Sequence, residues 1–360
     1  HERTLSVEVF FMDLAGNLDS CTTLLQVVDE DSVCVGTVIF GNLNGFVKSR
    51  KDIYMQGVNV ELHDANPLMR QTNEGGYYSF SRMPLGGSYS VRPIHDVEHL
   101  NGVTTNDIVQ IQRHILGLKE FSDPLKFIAA DANNSGSVTT SDIVEIRKLI
   151  LGKIDRFTKN QSWRFIQSDY KFIDPLDPLS EIWDNDFKVE KLNGNHYGNY
   201  TGIKIGDIDD SNRPNGFAGN ATSRSQLKHR IFLEDQTLEP GKVVDVDIVI
   251  PYSANLEGIQ AAFQIDPMIG TILEVTIPEF SALTTDHIGD KFLNKGVLLT
   301  SWIASPANQN DLKLRLKLQV NRAIKLSDIL TLNHDILASE AYVQDKDVHQ
   351  LLLEFNQSNA

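Results

Sequence analysis

Short stretches in which apolar and polar residues alternate occupy much of the chain. Residues 5–11 and 22–28 form one such pair around a polar turn at 13–17. In the last third, residues 244–250 place aspartates between valines and isoleucines, and residues 312–318 place lysines and an arginine between leucines. A period of two buries one face of a strand and leaves the other in water. The pattern predicts a mainly β protein.

Two segments in the middle of the chain have helical periodicity and form an internal repeat. Residues 96–117 correspond to residues 131–152, and each copy is a polar loop that opens a helix and ends at a glycine. A glycine after the last periodic residue is a common helix stop. The apolar stripes are made by Ile108, Ile111, Ile115, Ile143, Ile146 and Ile150.

The second loop has the spacing of an EF-type calcium site. Calcium takes six to eight oxygen ligands, and alternate positions of a 12-residue loop can supply them. Gly136 stands at position 6, where the template needs a sharp turn. The predicted ligands are Asp131, Asn133, Ser135, Ser137, Thr139 and Asp142.

The first loop fits the same template less well. Leu100 at position 5 offers only its carbonyl oxygen, and Asn101 replaces the position-6 glycine. The predicted ligands are Asp96, Glu98, Leu100, Gly102, Thr104 and Asp107, which gives about two calcium sites in total. Further along, Asp207, Asp209 and Ser211 are predicted to form a solvated turn, with a third oxygen site as the alternative.

The charge balance suits cation binding. Lys and Arg number 33 and Asp and Glu 48, for a net charge of −15, which argues against nucleic acid or an anionic membrane as partner. The sequence has no stretch of about 18 uncharged apolar residues, so no membrane insertion is expected. The two cysteines, Cys21 and Cys34, are either unrelated thiols or a disulfide, and their spacing alone does not decide.

The repeat resembles a dockerin, a pair of loop–helix halves whose calcium loops end in aspartate, as at Asp107 and Asp142. The resemblance implies calcium binding and contact with a cohesin. The residues that it places at such a contact are Thr105, Asn106, Arg113, His114, Thr140, Ser141, Arg147 and Lys148. The segment after Gly152 departs from cellulosomal dockerins and resembles a longer unit of secreted Bacteroidota proteins, whose extension could cover the cohesin-facing side.

The flanking segments resemble other modules. The turn at 13–17 before a cysteine-bearing strand resembles the end of an Ig-like repeat of the hyalin type. Residues 72–80 and 83–91 resemble the turn-and-strand motifs of Cna-B or carboxypeptidase-regulatory-like modules. Residues 256–266 and 326–342 carry a resemblance to a cohesin-like jelly roll.

Together these resemblances imply a multidomain, mainly β chain, in which β-sandwich modules flank a small α dockerin-like unit with two EF-type calcium loops. The expected divisions are 1–34, part of an Ig-like sandwich; 35–95, a Cna-B-like sandwich; 96–211, the calcium-binding unit with its extension; 212–226, a linker; and 227–356, the cohesin-like sandwich. The chain opens in a strand pattern, which is typical of a piece of a longer protein.

No catalytic motif of the hydrolase, zinc-protease or nucleotide-binding kinds occurs in the sequence. We therefore expect a non-catalytic structural or adhesive segment of a large secreted cell-surface protein, of the kind exported by type IX secretion. Its expected partners are proteins, through cohesin–dockerin-type or homo-oligomeric contacts, with surface carbohydrate as a further possibility. The alternative is an accessory region of a secreted polysaccharide-degrading enzyme.

Overall fold

The computed structural model describes residues 2–12, 18–28, 40–64, 67–216, 227–305, 307–344 and 347–357. These residues form a mainly β protein with three α-helices.

The N-terminal segment is an antiparallel hairpin of β1 (Glu2–Met12) and β2 (Leu18–Val28). Glu2 faces Val28 at one end, and Met12 faces Leu18 at the other. Both strands predicted from the alternation are confirmed. The turn at 13–17 and residue 34 lie outside the described residues, so the two alternatives for the cysteines, free thiols or a disulfide, both stay open.

A first sandwich is built from two separated parts of the chain. In its first sheet β3 pairs antiparallel with β6 and parallel with β10 and β11, and β11 pairs antiparallel with β8. The second sheet has the order β5-β4-β7-β9. The strands are β3 (Phe40–Ser49), β4 (Asn59–His63), β5 (Leu68–Gln71), β6 (Tyr77–Pro84), β7 (Tyr89–Ile94), β8 (Trp163–Gln167), β9 (Phe187–Val189), β10 (His196–Tyr197) and β11 (Tyr200–Lys204).

The strands after residue 160 complete the core of this sandwich. Trp163 and Tyr200 pack with Val47, Val60 and Phe80 in one cluster of buried side chains. The expected boundary at residue 95 therefore falls between strands that share the same two sheets.

The helices lie between β7 and β8. They are α1 (Thr105–Ile115), α2 (Pro124–Ala130) and α3 (Thr140–Ile150), and α1 packs against α3. The two helices predicted from the repeat are confirmed, and their buried stripes include Ile108, Ile111, Ile146 and Ile150. Within the described ranges, none of the helices has the length and apolar character needed to cross a membrane.

The C-terminal part is a second sandwich. A large sheet has the order β12-β23-β22-β15-β18-β17 with β21 beside β15, and it faces a sheet of order β14-β19-β16; β13 and β20 form a small pair. The strands are β12 (Lys228–Asp235), β13 (Thr237–Leu238), β14 (Val243–Ile250), β15 (Leu256–Ile265), β16 (Gly270–Thr276), β17 (Ile288–Gly289), β18 (Val297–Ile303), β19 (Leu312–Val320), β20 (Ile324–Lys325), β21 (Leu330–Leu332), β22 (Glu340–Val343) and β23 (Asp347–Gln357).

Strands β18 and β19 differ in how many faces they bury. In β19 the leucines are buried and the lysines and arginine between them are more exposed, as the alternation predicted. In β18 all seven residues are buried. Leu298 and Trp302 enter the sandwich core, whereas Val297, Leu299 and Ile303 pack with residues of α1 and α3. The helices therefore cover the outer face of the second sandwich.

Leu299→Ala tests this cover. Because Leu299 is 2% exposed on the helix-facing side of β18, truncating it leaves a cavity, and we expect the free energy of unfolding to fall by about 2–5 kcal/mol. Leu273→Ala in β16, where the leucine is 48% exposed, is the matched control and should cost much less. The measurement is chemical denaturation, and equal small losses for both variants would mean that the helices do not cover β18.

Candidate functional site

The loop before α3 is held by two buried carboxylates. Asp131 accepts hydrogen bonds from the backbone N–H of Ser135 at 2.7 Å and of Gly136 at 2.9 Å. Asp142 accepts from the backbone N–H of Asn133 at 3.1 Å and of Thr139 at 2.8 Å. Gly136 has a φ of 79°, so the position-6 glycine makes the left-handed turn that the template requires.

One oxygen of this loop is left without a partner. The Oδ1 atom of Asn133, at position 3, is buried and accepts no hydrogen bond from the described residues. A buried amide oxygen normally has a donor or a cation, because leaving it unpaired costs about 1–3 kcal/mol. Neutral oxygens together with carboxylates are the donor set that calcium prefers. The residues of this loop therefore fit a calcium ion.

The carboxylate at the start of α1 meets two carboxylates from a distant segment. Oxygen atoms of Asp107, Asp207 and Asp209 lie within 4.8 Å of one another. Asp207 is completely buried, so the segment that we expected to form a solvated turn instead contributes to a buried cluster. That expectation is wrong because β11 delivers residues 207–212 to the N-terminus of α1.

The hydrogen bonds of this cluster repeat those of the loop before α3. Asp107 accepts from the backbone N–H of Thr104 at 2.8 Å and of Ile208 at 2.7 Å, as Asp142 accepts from Thr139 and Asn133. Asp207 accepts from the N–H of Ser211 at 3.1 Å and of Asn212 at 2.9 Å.

The residues of the cluster around Asp107 correspond position by position to those of the loop before α3. Asp207, Asp209, Ser211 and Asn212 occupy the places that Asp131, Asn133, Ser135 and Gly136 hold in the contiguous loop. The first loop is thus assembled from two segments, residues 207–212 and residues 102–107.

Gly102 lies where these two segments meet. A Cβ atom there would be 2.5 Å from the backbone nitrogen of Asn212 and 2.6 Å from an Asp207 oxygen, and the φ of Gly102 is 79°. Its carbonyl accepts a hydrogen bond from the Ser211 hydroxyl at 2.9 Å. Of the predicted ligands, Gly102, Thr104 and Asp107 therefore belong to the assembled loop.

The other predicted ligands of the first loop are placed elsewhere. Asp96 accepts from the N–H of Ser162 at 2.7 Å and pairs with His99 at 3.0 Å. Glu98 accepts from the Asn101 amide, and Leu100 is exposed. Among the described residues, Asp96 and Glu98 are not members of the carboxylate cluster around Asp107.

Burial and mutual repulsion set the protonation of the cluster. Burial raises the pKa of Asp107 well above its usual value, and the charges of Asp209 and Asp207 raise it further. Burial, followed by the charge of Asp209, raises the pKa of Asp207 to about 7. Burial also lowers the pKa of the nearby Lys204 to about 7, and its Nζ donates to the carbonyl of His99. A divalent cation would relieve the repulsion among the carboxylates.

The N-terminal end of α1 binds the outer face of the second sandwich. The backbone N–H of Thr105 donates to Gln260 Oε1 at 2.8 Å, and the hydroxyls of Thr105 and Ser301 hydrogen-bond at 2.7 Å. Gln260 in turn donates to the carbonyl of Ala338 at 2.9 Å. All three polar side chains are buried and satisfied.

The C-terminal end of α1 binds the edge of the same face. Gln112 Nε2 donates to the carbonyl of Ala304 at 3.0 Å, and Arg113 Nε donates to Glu257 Oε1 at 3.0 Å. Arg113 and Glu257 form a partly buried ion pair. A helix of the repeat is therefore docked on the sandwich of its own chain.

The remaining residues of the expected protein contact have different environments. Asn106 donates to Asp209 at 2.7 Å, and the ring of His114 stacks on Phe121 with centroids 4.2 Å apart. Most of the predicted contact residues of α3 are open to solvent. Thr140, Ser141 and Lys148 are exposed, whereas Arg147 is half-buried. Val144 is also exposed, although its counterpart Val109 is buried.

Comparison with known proteins gives structural similarity at low scores. No family model matches the chain, and neither does any curated protein. A cohesin–dockerin complex of Clostridium thermocellum that contains the OlpC cohesin is 8% identical, with a TM-score of 0.27, and the match covers 37% of this chain and 96% of that one.

Two further cohesins match in the same way. The sixth cohesin of scaffoldin B from Acetivibrio cellulolyticus, in complex with a dockerin, is 10% identical, with a TM-score of 0.27, over 36% of this chain and 100% of that one. The seventh ScaB type I cohesin from Pseudobacteroides cellulosolvens is 12% identical, with a TM-score of 0.24, over 35% and 86%. Scores below 0.5 assign neither a family nor a function to this chain.

Substitution of single carboxylates distinguishes the assembled loop from the contiguous one predicted from the sequence. We expect Asp209→Asn to weaken calcium binding at one site by about tenfold or more, because it removes a charged ligand. Glu98→Gln, which changes a carboxylate outside the cluster, should leave both affinities unchanged. Calorimetric titration with CaCl₂ measures the calcium affinities of both variants. If Glu98→Gln weakened calcium binding and Asp209→Asn did not, the contiguous loop of residues 96–107 would be the binding site.

The raised carboxyl pKa values predict how calcium stabilisation depends on pH. In the metal-free protein the folded state holds the Asp207 proton more tightly than the unfolded state, so stability falls as the pH rises from about 4 to about 7. Calcium competes with that proton. The melting temperature gained by adding calcium to metal-free protein should therefore be larger at pH 8 than at pH 5. A gain that is equal at both pH values, or larger at pH 5, would contradict this.

Proposed function

We propose that this chain is a non-catalytic, calcium-binding structural segment of a secreted cell-surface protein. In this proposal two calcium ions fix the helices between the two sandwiches and make residues 40–357 a stiff spacer. One observation carries it: the loop assembled from residues 102–107 and 207–212 brings carboxylates of two distant segments together beside the second sandwich.

The assembled loop is a junction of three parts of the fold. Asp107 belongs to α1, and Asp207 and Asp209 follow β11 of the first sandwich. Burial raises the pKa of Glu340 in β22, and the charge of Asp209 adds to that effect, so the second sandwich lies close by. An ion bound here ties α1 to the first sandwich at the point where α1 docks on the second.

The location at a cell surface is part of the proposal and has a physical rationale. Extracellular calcium modules work with dissociation constants of about 0.1–1 mM. Where free calcium is about ten times the dissociation constant, each site is about 90% occupied and contributes about 1.4 kcal/mol to folding. A spacer in a medium with millimolar free calcium would therefore be largely loaded.

Protein partners are also part of the proposal. Since α1 is docked within its own chain, a contact between molecules would use the exposed positions of α3 or would have to displace α1. The exposed set on α3 is Thr140, Ser141, Val144 and Lys148. We therefore assign assembly contacts to α3 and the internal contact to α1.

Hydrogen–deuterium exchange tests the stiffening role. Removing calcium should lower the protection of amides in Thr105–Ile115 and Leu256–Ile265, because α1 loses its anchor and β15 loses its cover. Leu312–Val320 in β19 is the internal control, since it lies in the opposing sheet away from the helices. Equal protection of α1 and β15 with and without calcium would refute the proposal.

A further inference from the structure

Both calcium loops place a non-glycine residue in the left-handed backbone region at position 4. Asp210 has a φ of 58° in the assembled loop, and Asn134 has a φ of 55° in the loop before α3. Position 4 is not a ligand position of the calcium template. Aspartate and asparagine tolerate this region better than most residues, but such conformations persist only where the surrounding structure holds them. The neighbours of both side chains therefore bear on the shape of each loop.

An arginine of the first sandwich contacts each of these two residues. Arg50, in the turn after β3, has its Nη1 atom 3.2 Å from Asp210 Oδ1. Arg164, in β8, donates from Nη1 to Asn134 Oδ1 at 3.3 Å. The first contact joins opposite charges, whereas the second ends on a neutral amide. The contact at Asp210 therefore includes an attraction between full charges that the contact at Asn134 lacks.

Arg50 is buried and links three segments of the chain. Its side chain is 5% exposed, and its Nη2 atom donates at 2.7 Å to Asp123, the N-cap residue of α2. The contact of Nη1 with Asp210 is an ion pair and not an aligned hydrogen bond. The next residue, Lys51, donates from Nζ to the carbonyl of Asp210. The turn after β3 thus holds both the side chain and the backbone of Asp210.

We propose that Arg50 is a positioning residue of the assembled calcium loop, which acts through Asp210 to hold Asp209 and Ser211 at ligand positions 3 and 5. This inference rests on the proposed calcium-binding function. Calcium affinity depends on the charge of the ligands and on the rigidity of the site. A segment already held in its bound conformation loses less conformational entropy when the ion binds. Arg50 therefore raises the calcium affinity of this loop.

A purely electrostatic effect of Arg50 on calcium would have the opposite sign. A guanidinium close to a divalent cation repels it, so removing the guanidinium would tighten calcium binding. Losing a positioning contact weakens binding instead. A purely structural Arg50 would affect the stability of the fold and leave the calcium affinity of the folded protein unchanged. The sign of the change in affinity therefore separates the three roles.

Calorimetric titration of the whole chain with CaCl₂ measures that sign at the site that Asp209→Asn weakens. We expect Arg50→Met to weaken calcium binding there by about tenfold, and Arg50→Lys, which keeps the charge, to weaken it less. Arg70→Met removes an exposed arginine of the same sandwich and is the matched control. The affinity of the loop before α3 should be the same in all three variants, which shows that they fold.

The outcomes separate this proposal from the proposed function. If Asp209→Asn weakens one site and both Arg50 variants bind calcium there as tightly as the unsubstituted chain or more tightly, the positioning role is wrong and the calcium site remains. If Asp209→Asn changes neither affinity, the assembled loop does not bind calcium and both proposals fail.

A double-mutant cycle tests whether Arg50 acts through Asp210. Asp210→Asn alone should weaken calcium binding at the assembled loop, because it removes the other half of the ion pair. If the two residues act as one unit, the variant that combines Arg50→Met with Asp210→Asn should bind about as tightly as the weaker of the two single variants. A combined loss equal to the sum of the two single losses, in free energy, would overturn the proposed route through Asp210.

Discussion

The burial of Asp107 is the constraint on which the arrangement of the helices and sandwiches depends. The Asp107 carboxylate has no solvent exposure. Asp107 lies in the first turn of α1, which packs against β15 and β18 of the second sandwich. Three backbone N–H groups reach it, from Thr104, Ile208 and Asp209. The last two come from the end of the first sandwich. A buried carboxylate needs such donors, so these hydrogen bonds fix α1 relative to the end of the first sandwich.

Those donors bring further negative charge with them. Asp209 itself supplies one of these amides, and Asp207 directly precedes Ile208, which supplies another. The carboxylates of Asp207 and Asp209 lie beside that of Asp107. Without a cation, burial and then the charge of Asp209 raise the pKa of Asp207 to about 7. A bound divalent ion would convert the same carboxylates from a destabilising group into ligands that join two segments.

The geometry of the loop before α3 could be predicted from the sequence because its polar positions are contiguous. The carboxylates that surround Asp107 could not, because they come from a segment about 100 residues away, and spacing carries no information about chain segments that meet only after folding. A signal was nevertheless present. Asp207, Asp209 and Ser211 repeat the odd positions of the contiguous loop, and Leu100 and Asn101 were poor occupants of positions 5 and 6.

The internal contact left a comparable signal. Residues 297–303 read as an almost continuous apolar run, whereas residues 312–318 alternate. Continuous runs are typical of strands that are covered on both faces. The run therefore indicated that another element covers the outer face of the sheet that contains β18. Which element does so depends on polar contacts such as those of Thr105 with Gln260 and Ser301, which no single-sequence pattern reveals.

The two loops also differ in what calcium binding can achieve. The loop before α3 is one short segment, so the binding energy of an ion there would mainly order that segment and the helix after it. The assembled loop exists only when residues 102–107 and 207–212 have been brought together, so an ion bound there favours states in which the intervening chain is folded. In the proposed function the same ligand chemistry, used once within a segment and once across the fold, would therefore act locally in one copy of the repeat and on tertiary structure in the other.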